Sequence, residues 1–265
     1  MNESVKLRAR HQPLAGRNPV SLTDLEQQQA NLAAVQLDDF RSANLFDLVA
    51  DQIPAGSRVL DVGCGAGGLV GYLLERHVDI WGVDTSEATV RAARGFLEGR
   101  GLDAQRIRVG STQDLIADGE LADVVVCMDC LEHVEDDGTL FNELVDLVKP
   151  GGTLVVTVPA LMALYGERDE RIGHFRRYER HELASLAATA PIDVHQLRFW
   201  NVLGVGPTFL TQKLLKRNVD ESFRYGNPTL RKRVMRSMLH LWFRHVENRL
   251  HPPLGLTLFM VATRR

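Results

Sequence analysis

Short apolar runs alternate with amphipathic segments through the middle of the chain. The apolar runs predict strands at 58–62, 79–83, 106–109, 123–128 and 152–158. The segments between them predict helices at 67–77, 86–98 and 139–148, with a short helix before the fourth strand. Because these strands are apolar at nearly every position, both of their faces should be buried. The alternation is typical of a parallel, doubly wound α/β sheet with right-handed crossovers.

The flanking segments carry different patterns. Apolar residues recur at helical spacing from 23 to 53, and Thr23 with Glu26 forms a capping-box signature, so one or two helices should precede the sheet. Residues 165–178 are too polar for a core element and predict a loop or hairpin over the carboxyl edge of the sheet. Then follow a predicted helix at 179–189, a strand at 192–199, a long basic helical stretch and a last strand at 257–262.

These patterns divide the chain into four parts. We predict an N-terminal tail with helices (1–54), a core (55–200) that includes a polar loop (160–178), a basic helical insertion or lid (201–253), and the last strand of the core (254–265).

Composition narrows the class of protein. The chain has 265 residues, 45% of them hydrophobic and 25% charged, with a net charge of −3, so nothing global indicates nucleic-acid binding. Its three cysteines form neither a disulfide framework nor a zinc-type pattern. No apolar run resembles a signal peptide or reaches membrane-spanning length. We therefore expect a cytoplasmic protein.

A glycine-rich turn follows the first predicted strand, in RVLDVGCGAGG at 58–68. Gly63, Gly65 and Gly68 satisfy the GxGxxG pattern, and Asp84 ends the next strand, where a carboxylate can bind a ribose diol. Glycines let a ligand lie against the backbone at the start of a helix. Both features suit any adenosine-containing cofactor, so a dinucleotide and S-adenosylmethionine remain alternatives at this point.

The carboxylate of Asp61, two residues before the first glycine, favours one alternative. It would repel a pyrophosphate but attract a cofactor that carries positive charge, as the sulfonium and ammonium of S-adenosylmethionine do. DxGxGxG with an acid after the second strand resembles the class I S-adenosylmethionine-dependent methyltransferases. DVVVCMDCLEHVEDD (123–137) and KPGGTLVVTVP (149–159) resemble the fourth-strand and fifth-strand motifs of that family, and LEHV is nearest to ubiquinone-biosynthesis-type O-methyltransferases.

The resemblance implies a Rossmann-like, seven-stranded sheet whose last strand is antiparallel, with S-adenosylmethionine as cofactor and S-adenosylhomocysteine as product. Ser111 stands where the family usually has an acid near the adenine, so backbone contacts at Thr112 would replace that acid. The cofactor-binding residues implied are Asp61, Gly63, Cys64, Gly65, Asp84, Thr85, Ser111, Thr112 and Cys127.

Methyl transfer needs alignment of acceptor, methyl and sulfur and, for many acceptors, removal of a proton. His174, in the polar loop, is our candidate base, whereas His133 is either a second base or a packing residue. Tyr178 would orient the acceptor or anchor the loop. The remaining candidates are Arg176 and Arg177 for an anionic acceptor, unless they pair with the loop acids Glu167, Asp169 and Glu170, and Trp200 and Asn201 as pocket lining.

A metal site is an alternative at the same place. Asp129, Glu132 and His133 have i, i+3, i+4 spacing, and His174 could supply a fourth ligand. Side chains so close to a strand end more often cap the following helix. We therefore predict no metal, and keep the divalent cation as the alternative.

The segment 213–249 is basic, with ten Lys or Arg against three acids. Within it, Leu230, Val234, Met238, Leu241, Trp242 and Val246 can form one apolar face. A peripheral membrane contact is one interpretation, which would suit a lipid-linked acceptor. We favour the other, in which that face packs as a lid over the acceptor pocket or as a dimer contact. The sequence does not indicate the oligomeric state.

The function that these features predict is transfer of the methyl group of S-adenosylmethionine to a small-molecule acceptor, at oxygen. Transfer to nitrogen or carbon, methylation of RNA or protein, and a non-catalytic S-adenosylmethionine-binding protein are the alternatives.

Overall fold

The computed structural model describes residues 39–211 and 230–265. Thr23, Glu26 and most of the predicted N-terminal helical region lie outside the described residues. Helix α1 (Phe40–Ala50) matches the end of that region. Its N-cap is Asp39, whose carboxylate accepts hydrogen bonds from the backbone N–H groups of Arg41 and Ser42, both at 3.3 Å.

Seven strands form a single sheet in the order β3-β2-β1-β4-β5-β7-β6. Strand β7 pairs antiparallel with both β5 and β6, and the other pairs are parallel. The predicted Rossmann-like fold with an antiparallel last strand is therefore confirmed. The strands are β1 (Arg58–Val62), β2 (Asp79–Asp84), β3 (Ile107–Val109), β4 (Ala122–Met128), β5 (Val148–Pro159), β6 (Ile192–Trp200) and β7 (Thr257–Arg264).

Helices cover both faces of this sheet. After α1 they are α2 (Gly68–Leu74), α3 (Glu87–Gly99), α4 (Thr112–Ala117), α5 (Asp137–Leu147), α6 (Glu167–Arg171), α7 (Arg180–Ala188), α8 (Val205–Phe209) and α9 (Leu230–Trp242). A π-helical turn, Phe243–Glu247, continues α9. No helix among the described residues combines the length and the apolar character needed to cross a bilayer.

The core lies in two layers, one on each face of the sheet. Leu144 of α5 and Leu183 of α7 pack on one face, whereas Leu73 of α2 and Leu97 of α3 pack on the other, and all four are fully buried. Each such leucine contributes about 1.5–3 kcal/mol through burial. The packing fixes the sheet rigidly enough for the carboxyl ends of β1 to β5 to hold a site between them.

The polar segment 165–178 is more structured than a plain loop or hairpin. It contains α6, and a bridge between Ala160 and Tyr178 closes it at its base. The backbone N–H of Leu161 donates to the Tyr178 carbonyl at 3.0 Å, and the N–H of Tyr178 donates to the Pro159 carbonyl at 2.8 Å. These bonds hold loop 160–178 over the carboxyl edge of β5.

Candidate active site

The glycine turn after β1 lies at the carboxyl ends of β1 to β4, in the region that the sequence predicts to bind the cofactor and that we call the cofactor cleft. Gly63 and Gly65 have φ of 71° and 52°, a region that other residues rarely adopt. A Cβ on Gly63 would lie 2.7 Å from the Sγ of Cys130, so no side chain fits there. A Cβ on Gly65 would meet only the Gly63 carbonyl oxygen, at 4.0 Å, so no side chain among the described residues covers the turn at that residue.

Two carboxylates stand on either side of this turn. Asp84 accepts hydrogen bonds from the backbone N–H of Gly65 at 3.1 Å and of Ser86 at 2.9 Å. Asp61 is buried, and burial first and the charge of Asp84 second raise its pKa to about 7. A positively charged ligand would relieve this repulsion, whereas a phosphate would add to it. The chemistry of the cleft thus fits S-adenosylmethionine.

The third strand contributes an apolar surface that the sequence analysis did not select. Val109 ends β3 directly beside Asp84 and is 48% exposed, although it is hydrophobic. Such a side chain can contact the face of a flat, aromatic base. Nothing in the sequence distinguishes Val109 from the buried valines, because its exposure depends on where β3 ends.

Three of the predicted cofactor contacts have side chains that bond or pack within the protein. Ser111 caps α4: its hydroxyl donates to Asp114 at 2.7 Å and accepts from the Asp114 N–H at 3.2 Å. Thr112 is buried, and its hydroxyl donates to Glu143 at 2.5 Å. Cys127 is fully buried within the core layer of β4. None of the three side chains is available to a ligand in the cleft.

Two other predicted contacts differ in accessibility. Thr85 is exposed immediately after Asp84. Cys64 is buried against Gly82, at which a Cβ would lie 2.9 Å from its Sγ, but its backbone follows the glycine turn. The half-buried Cys130 lies beside Gly63, at a position that the sequence analysis did not select.

The acceptor side of the cleft begins where β4 ends. Asp129 has a φ of 48°, and its N–H donates to the Thr157 carbonyl at 2.9 Å. Its side chain is exposed. Desolvation by the surrounding protein raises the pKa of Asp129, and the nearby charges of Arg41 and His174 oppose that shift.

A buried glutamate and two histidines meet just beyond Asp129. Ligand atoms of Glu132, His133 and His174 all lie within 4.8 Å of one another. The rings of His133 and His174 meet edge to face, with centroids 4.6 Å apart. Asp129 is not a member of this group, so the structure brings together three of the four residues that the sequence suggested as metal ligands.

Glu132 is the unusual member of this cluster. It is fully buried, and neither of its carboxylate oxygens has a hydrogen-bond partner among the described residues. The His174 Nε2 lies 3.7 Å away, beyond hydrogen-bond distance. Burial raises the pKa of Glu132 well above its ordinary value, and the charge of Asp129 raises it further. A buried carboxylate of this kind needs a proton or a cation.

The two histidines of the cluster have different surroundings. Partial desolvation, and then the charge of His174, lower the pKa of His133 to about 4, so the exposed His133 is neutral at pH 7. His174 has a stronger positional constraint, because its Nδ1 lies 3.1 Å from the Asp169 carboxylate. In the tautomer that donates its Nδ1 proton to Asp169, the lone pair of His174 lies on Nε2, which can accept a proton.

Asp169 is the functional residue that the sequence analysis placed only among the loop acids. It is 1% exposed and accepts hydrogen bonds from Arg177 Nε at 2.9 Å and from the Gly166 N–H at 3.1 Å. Burial opposes its ionisation, but the hydrogen bond from His174 and the charge of Arg177 outweigh burial and lower its pKa. Asp169 is therefore a carboxylate that orients His174. Its spacing of five residues from His174 carries no recognisable sequence signal.

The structure corrects two candidates in the same loop. Arg177 is buried and occupied by Asp169 and by the Ala160 carbonyl at 3.3 Å, so it cannot bind an anionic acceptor. Tyr178 is 2% exposed, and its hydroxyl donates to Asp137 at 2.7 Å. The Tyr178 hydroxyl thus bonds the loop to α5. Of the alternatives given in the sequence analysis, Arg177 pairs with a loop acid and Tyr178 anchors the loop.

Arg176 keeps access to solvent. Its side chain is 33% exposed, pairs with Asp137 at 2.9 Å and donates to the Glu135 carbonyl at 2.6 Å. The N–H of Phe175 donates to the Glu132 carbonyl at 2.8 Å. These contacts attach the loop to the segment after β4, which sets the position of His174 relative to Glu132.

Trp200 and Asn201 were predicted to line a pocket, and the structure places both in the interior. Trp200 is fully buried, donates to Asn248 Oδ1 at 2.8 Å and packs on Phe243 with ring centroids 4.8 Å apart. Asn201 is 5% exposed with a φ of 67°. They turn the chain out of β6 rather than contact a ligand.

Comparison with known proteins agrees with this geometry. Residues 60–156 match the family model described as a methyltransferase domain. The chain is 36% identical over 98 residues to a ubiquinone biosynthesis O-methyltransferase of Stutzerimonas stutzeri strain A1501, covering 37% of this chain and 42% of that protein. A protein of the same name from Dinoroseobacter shibae is 34% identical over 143 residues, covering 54% of this chain and 53% of its own. The chain spans about half the length of the relatives it matches.

Solved structures share the fold at low identity. The methyltransferase in complex with the Trm112 activator of Haloferax volcanii has a TM-score of 0.57 and 19% identity, over 91% of this chain and 95% of that chain. A [4+2]-cyclase has a TM-score of 0.53 and 20% identity, over 84% of this chain and 81% of its own. Since a cyclase shares the fold, the fold alone does not decide the reaction.

Residues 60–156 are thus similar to a methyltransferase domain, and the relatives that match this part of the chain are named O-methyltransferases.

Proposed function

We propose that this protein transfers the methyl group of S-adenosylmethionine to a small-molecule acceptor, at oxygen, and releases S-adenosylhomocysteine. The observations that carry the proposal are the contact between His174 and Asp169, at 3.1 Å, and the two acids Asp61 and Asp84, which suit a cationic cofactor. The relatives named O-methyltransferases support oxygen as the atom methylated. The three free thiols fit a reducing cytoplasm.

The cofactor would be held by residues of β1 to β3. Asp84 would accept hydrogen bonds from the ribose diol, and Asp61 with the open glycine turn would face the cationic methionine portion. Val109 would contact the adenine. When bound, the sulfonium supplies an activated methyl group, so departure of the thioether needs no acid.

The acceptor's proton would go to His174. The Asp169 carboxylate, itself held by Arg177, keeps the Nδ1 proton of His174 in place, so that Nε2 is the basic nitrogen. As Nε2 takes the hydroxyl proton, the neighbouring carboxylate stabilises the imidazolium. Asp169 is thus a positioning residue for this base. Arg176 is the one arginine of the pair that could approach an anionic acceptor, because Arg177 is occupied.

The proposal is tested by incubating the protein with methyl-labelled S-adenosylmethionine and a small-metabolite extract, with RNA and protein fractions in parallel. We expect label in small molecules and formation of S-adenosylhomocysteine in proportion. Label mainly in RNA or protein would overturn the acceptor class. Cofactor binding without turnover across acceptors of all these classes would favour a non-catalytic binding protein.

A second candidate, a divalent cation at the acceptor side, is favoured by the partnerless carboxylate of Glu132. Glu132, His133 and His174 offer oxygen and nitrogen donors that suit a divalent transition metal. A bound cation would supply a Lewis acid that lowers the pKa of an acceptor hydroxyl. His174 would then be a ligand through Nε2, still oriented by Asp169.

Metal analysis separates the two candidates. If the cation is part of the site, the purified protein titrates with Zn²⁺ or Mn²⁺ at about one equivalent, and Glu132→Gln abolishes that titration, whereas the exposed-site control Glu87→Gln does not. Methyl transfer that persists in a chelator, with no metal bound, would leave His174 as the base.

A further inference from the structure

A stripe of apolar side chains runs along the outer side of α9. The exposed fractions are 75% for Leu230, 52% for Val234, 66% for Met238 and 54% for Leu241. Their i, i+4, i+8, i+11 spacing places them on one side of the helix. Met235 and Trp242 widen the stripe along one edge, at 41% and 37%. We call these six residues the α9 stripe.

The opposite side of the helix attaches it to the protein. His240 Nδ1 lies 2.9 Å from Asn44 Nδ2 of α1. In the π-helical turn, Phe243 is buried and packs against Trp200. The α9 stripe therefore faces away from the packed side. This corrects the expectation that the apolar face lies as a lid over the acceptor pocket.

A buried glutamate fixes the end of the helix in this orientation. Glu247 is 2% exposed and accepts hydrogen bonds from the Trp242 Nε1 at 3.1 Å and from the Val202 N–H at 3.0 Å. The hydrogen bonds of the turn are made to groups inside the protein. A rotation of α9 that buried the stripe would break these hydrogen bonds. The exposure of the stripe is thus built into the fold.

The charge around the stripe is of one sign. Between 230 and 250 the sequence has six Lys or Arg and one acid, the buried Glu247, although the whole chain has a net charge of −3. Arg233, Arg244 and Arg249 are exposed. Basic side chains that flank an apolar helix face, with a Trp at its edge, are complementary to an anionic lipid surface.

We propose that the α9 stripe docks the protein on an anionic membrane surface. A second copy of this chain is a poorer partner, because a two-fold contact would bring two basic segments together. The segment 212–229 is also a poorer partner, because it has four Lys or Arg against two acids and so repeats the same charge. Lipid headgroups supply the missing negative charge, and acyl chains accept the apolar side chains.

The π-helical turn that follows the docking surface lies at the carboxyl end of β6. Trp200, which packs on the π-helical turn, ends β6, and the guanidinium of Arg41 lies 6.0 Å from its ring. The charge of Arg41 in turn acts on Asp129. If the proposed function holds, this position suits an acceptor that is itself carried in the lipid. The docking itself does not depend on that function.

Flotation of the full chain with vesicles tests the proposal. We expect binding to phosphatidylglycerol-containing vesicles at low salt, little binding to pure phosphatidylcholine, and loss of binding as salt rises. Met238→Glu should weaken binding at least tenfold without lowering the melting temperature, and Arg233→Glu with Arg249→Glu should do so by a similar factor. The matched controls are Ile116→Glu, at a site 37% exposed on α4, and Arg180→Glu on α7.

Three results would overturn the docking. The first is no recruitment to anionic vesicles at low salt. The second is a Met238→Glu protein that melts at a clearly lower temperature, which would mean that the chain itself covers the stripe. The third is a dimer by light scattering that Met238→Glu converts to a monomer. None of these measures methyl transfer, so a failure of docking and a failure of the proposed function are distinguishable.

Discussion

The cofactor side of the cleft is built from residues 61–86, which are continuous in the chain, whereas the acceptor side draws on segments from 129 to 178. On the cofactor side, one turn and two strand ends place Asp61 and Asp84 next to each other. On the acceptor side, the cluster forms only because loop 160–178 binds the segment after β4. A short motif can specify the first arrangement, while the second depends on long-range packing.

The two sides also differ in how their charges are stabilised. Asp169 has an arginine and a histidine as partners, and its pKa is lowered. Asp61 has only burial and a like charge, and its pKa is raised. The charge of Asp169 is thus stabilised by partners within the protein, whereas the charge of Asp61 would be stabilised by a bound cation. Variants on each side should separate cofactor binding from catalysis.

The largest effect on cofactor binding is expected for Asp84→Ala. This change removes the acceptors for the ribose diol and releases the Gly65 N–H from its bond. Charged hydrogen bonds are worth about 1.5–3 kcal/mol each, so we expect the Kd for S-adenosylmethionine to rise by about 100-fold or more. Isothermal titration measures this, with Glu87→Ala, at an exposed acid in α3, as the control. An unchanged Kd would remove Asp84 from the cofactor site.

His174→Asn should lower the rate of methyl transfer and leave cofactor binding unchanged. Loss of a general base lowers kcat by about 100-fold to 1,000-fold, while the Kd for S-adenosylmethionine stays within twofold. Single-turnover kinetics with an identified acceptor measures the first quantity and titration the second. His181→Asn, at an exposed histidine on α7, is the control. A kcat within threefold of the parent would mean that alignment alone drives the transfer.

The pH dependence of cofactor binding should follow Asp61. Because its pKa is about 7 in the folded protein, affinity for S-adenosylmethionine should rise from pH 6 to pH 8 as the carboxylate ionises, roughly tenfold in all. Asp61→Asn should weaken binding at pH 8 and flatten the profile. Titration at several pH values gives both results.

The same substitution should stabilise the unliganded protein. The pKa of Asp61 rises from 3.8 in its ordinary state to about 7 when folded, so the folded state binds the extra proton between those values. Stability is therefore lost as pH rises through that window, by roughly 2–4 kcal/mol at pH 8, and Asp61→Asn recovers it. Thermal melts at pH 4 and pH 8 measure the difference, with the exposed Asp118→Asn as control. A destabilised variant at pH 8 would contradict the raised pKa.

The smallest effect is expected for Tyr178→Phe. The hydroxyl only bonds Asp137, so its loss should cost about 1 kcal/mol and lower the Tm by about 2–4 °C, with kcat within twofold. Circular dichroism and the transfer assay measure these. A large fall in kcat at unchanged Tm would instead restore Tyr178 to the catalytic residues.

The alternation of strands and helices and the glycine turn after β1 were predictable because their signals are local, whereas the strand order came from the structure. A strand of apolar residues, a run of glycines and an acid at each strand end depend on neighbours a few positions away. Local signals did not reveal that Cys127 is buried in the core, or that the hydroxyls of Ser111 and Thr112 bond Asp114 and Glu143.

The amino-acid sequence alone was enough to predict the fold class and the presence of two acids, Asp61 and Asp84, near a glycine-rich turn. The folded chain was needed to select Asp169 as the partner of His174, to remove Arg177, Tyr178 and Trp200 from the site, and to turn the α9 stripe outward. Each of these depends on contacts between residues far apart in the chain, and on which face of a helix is buried. No local pattern encodes either property.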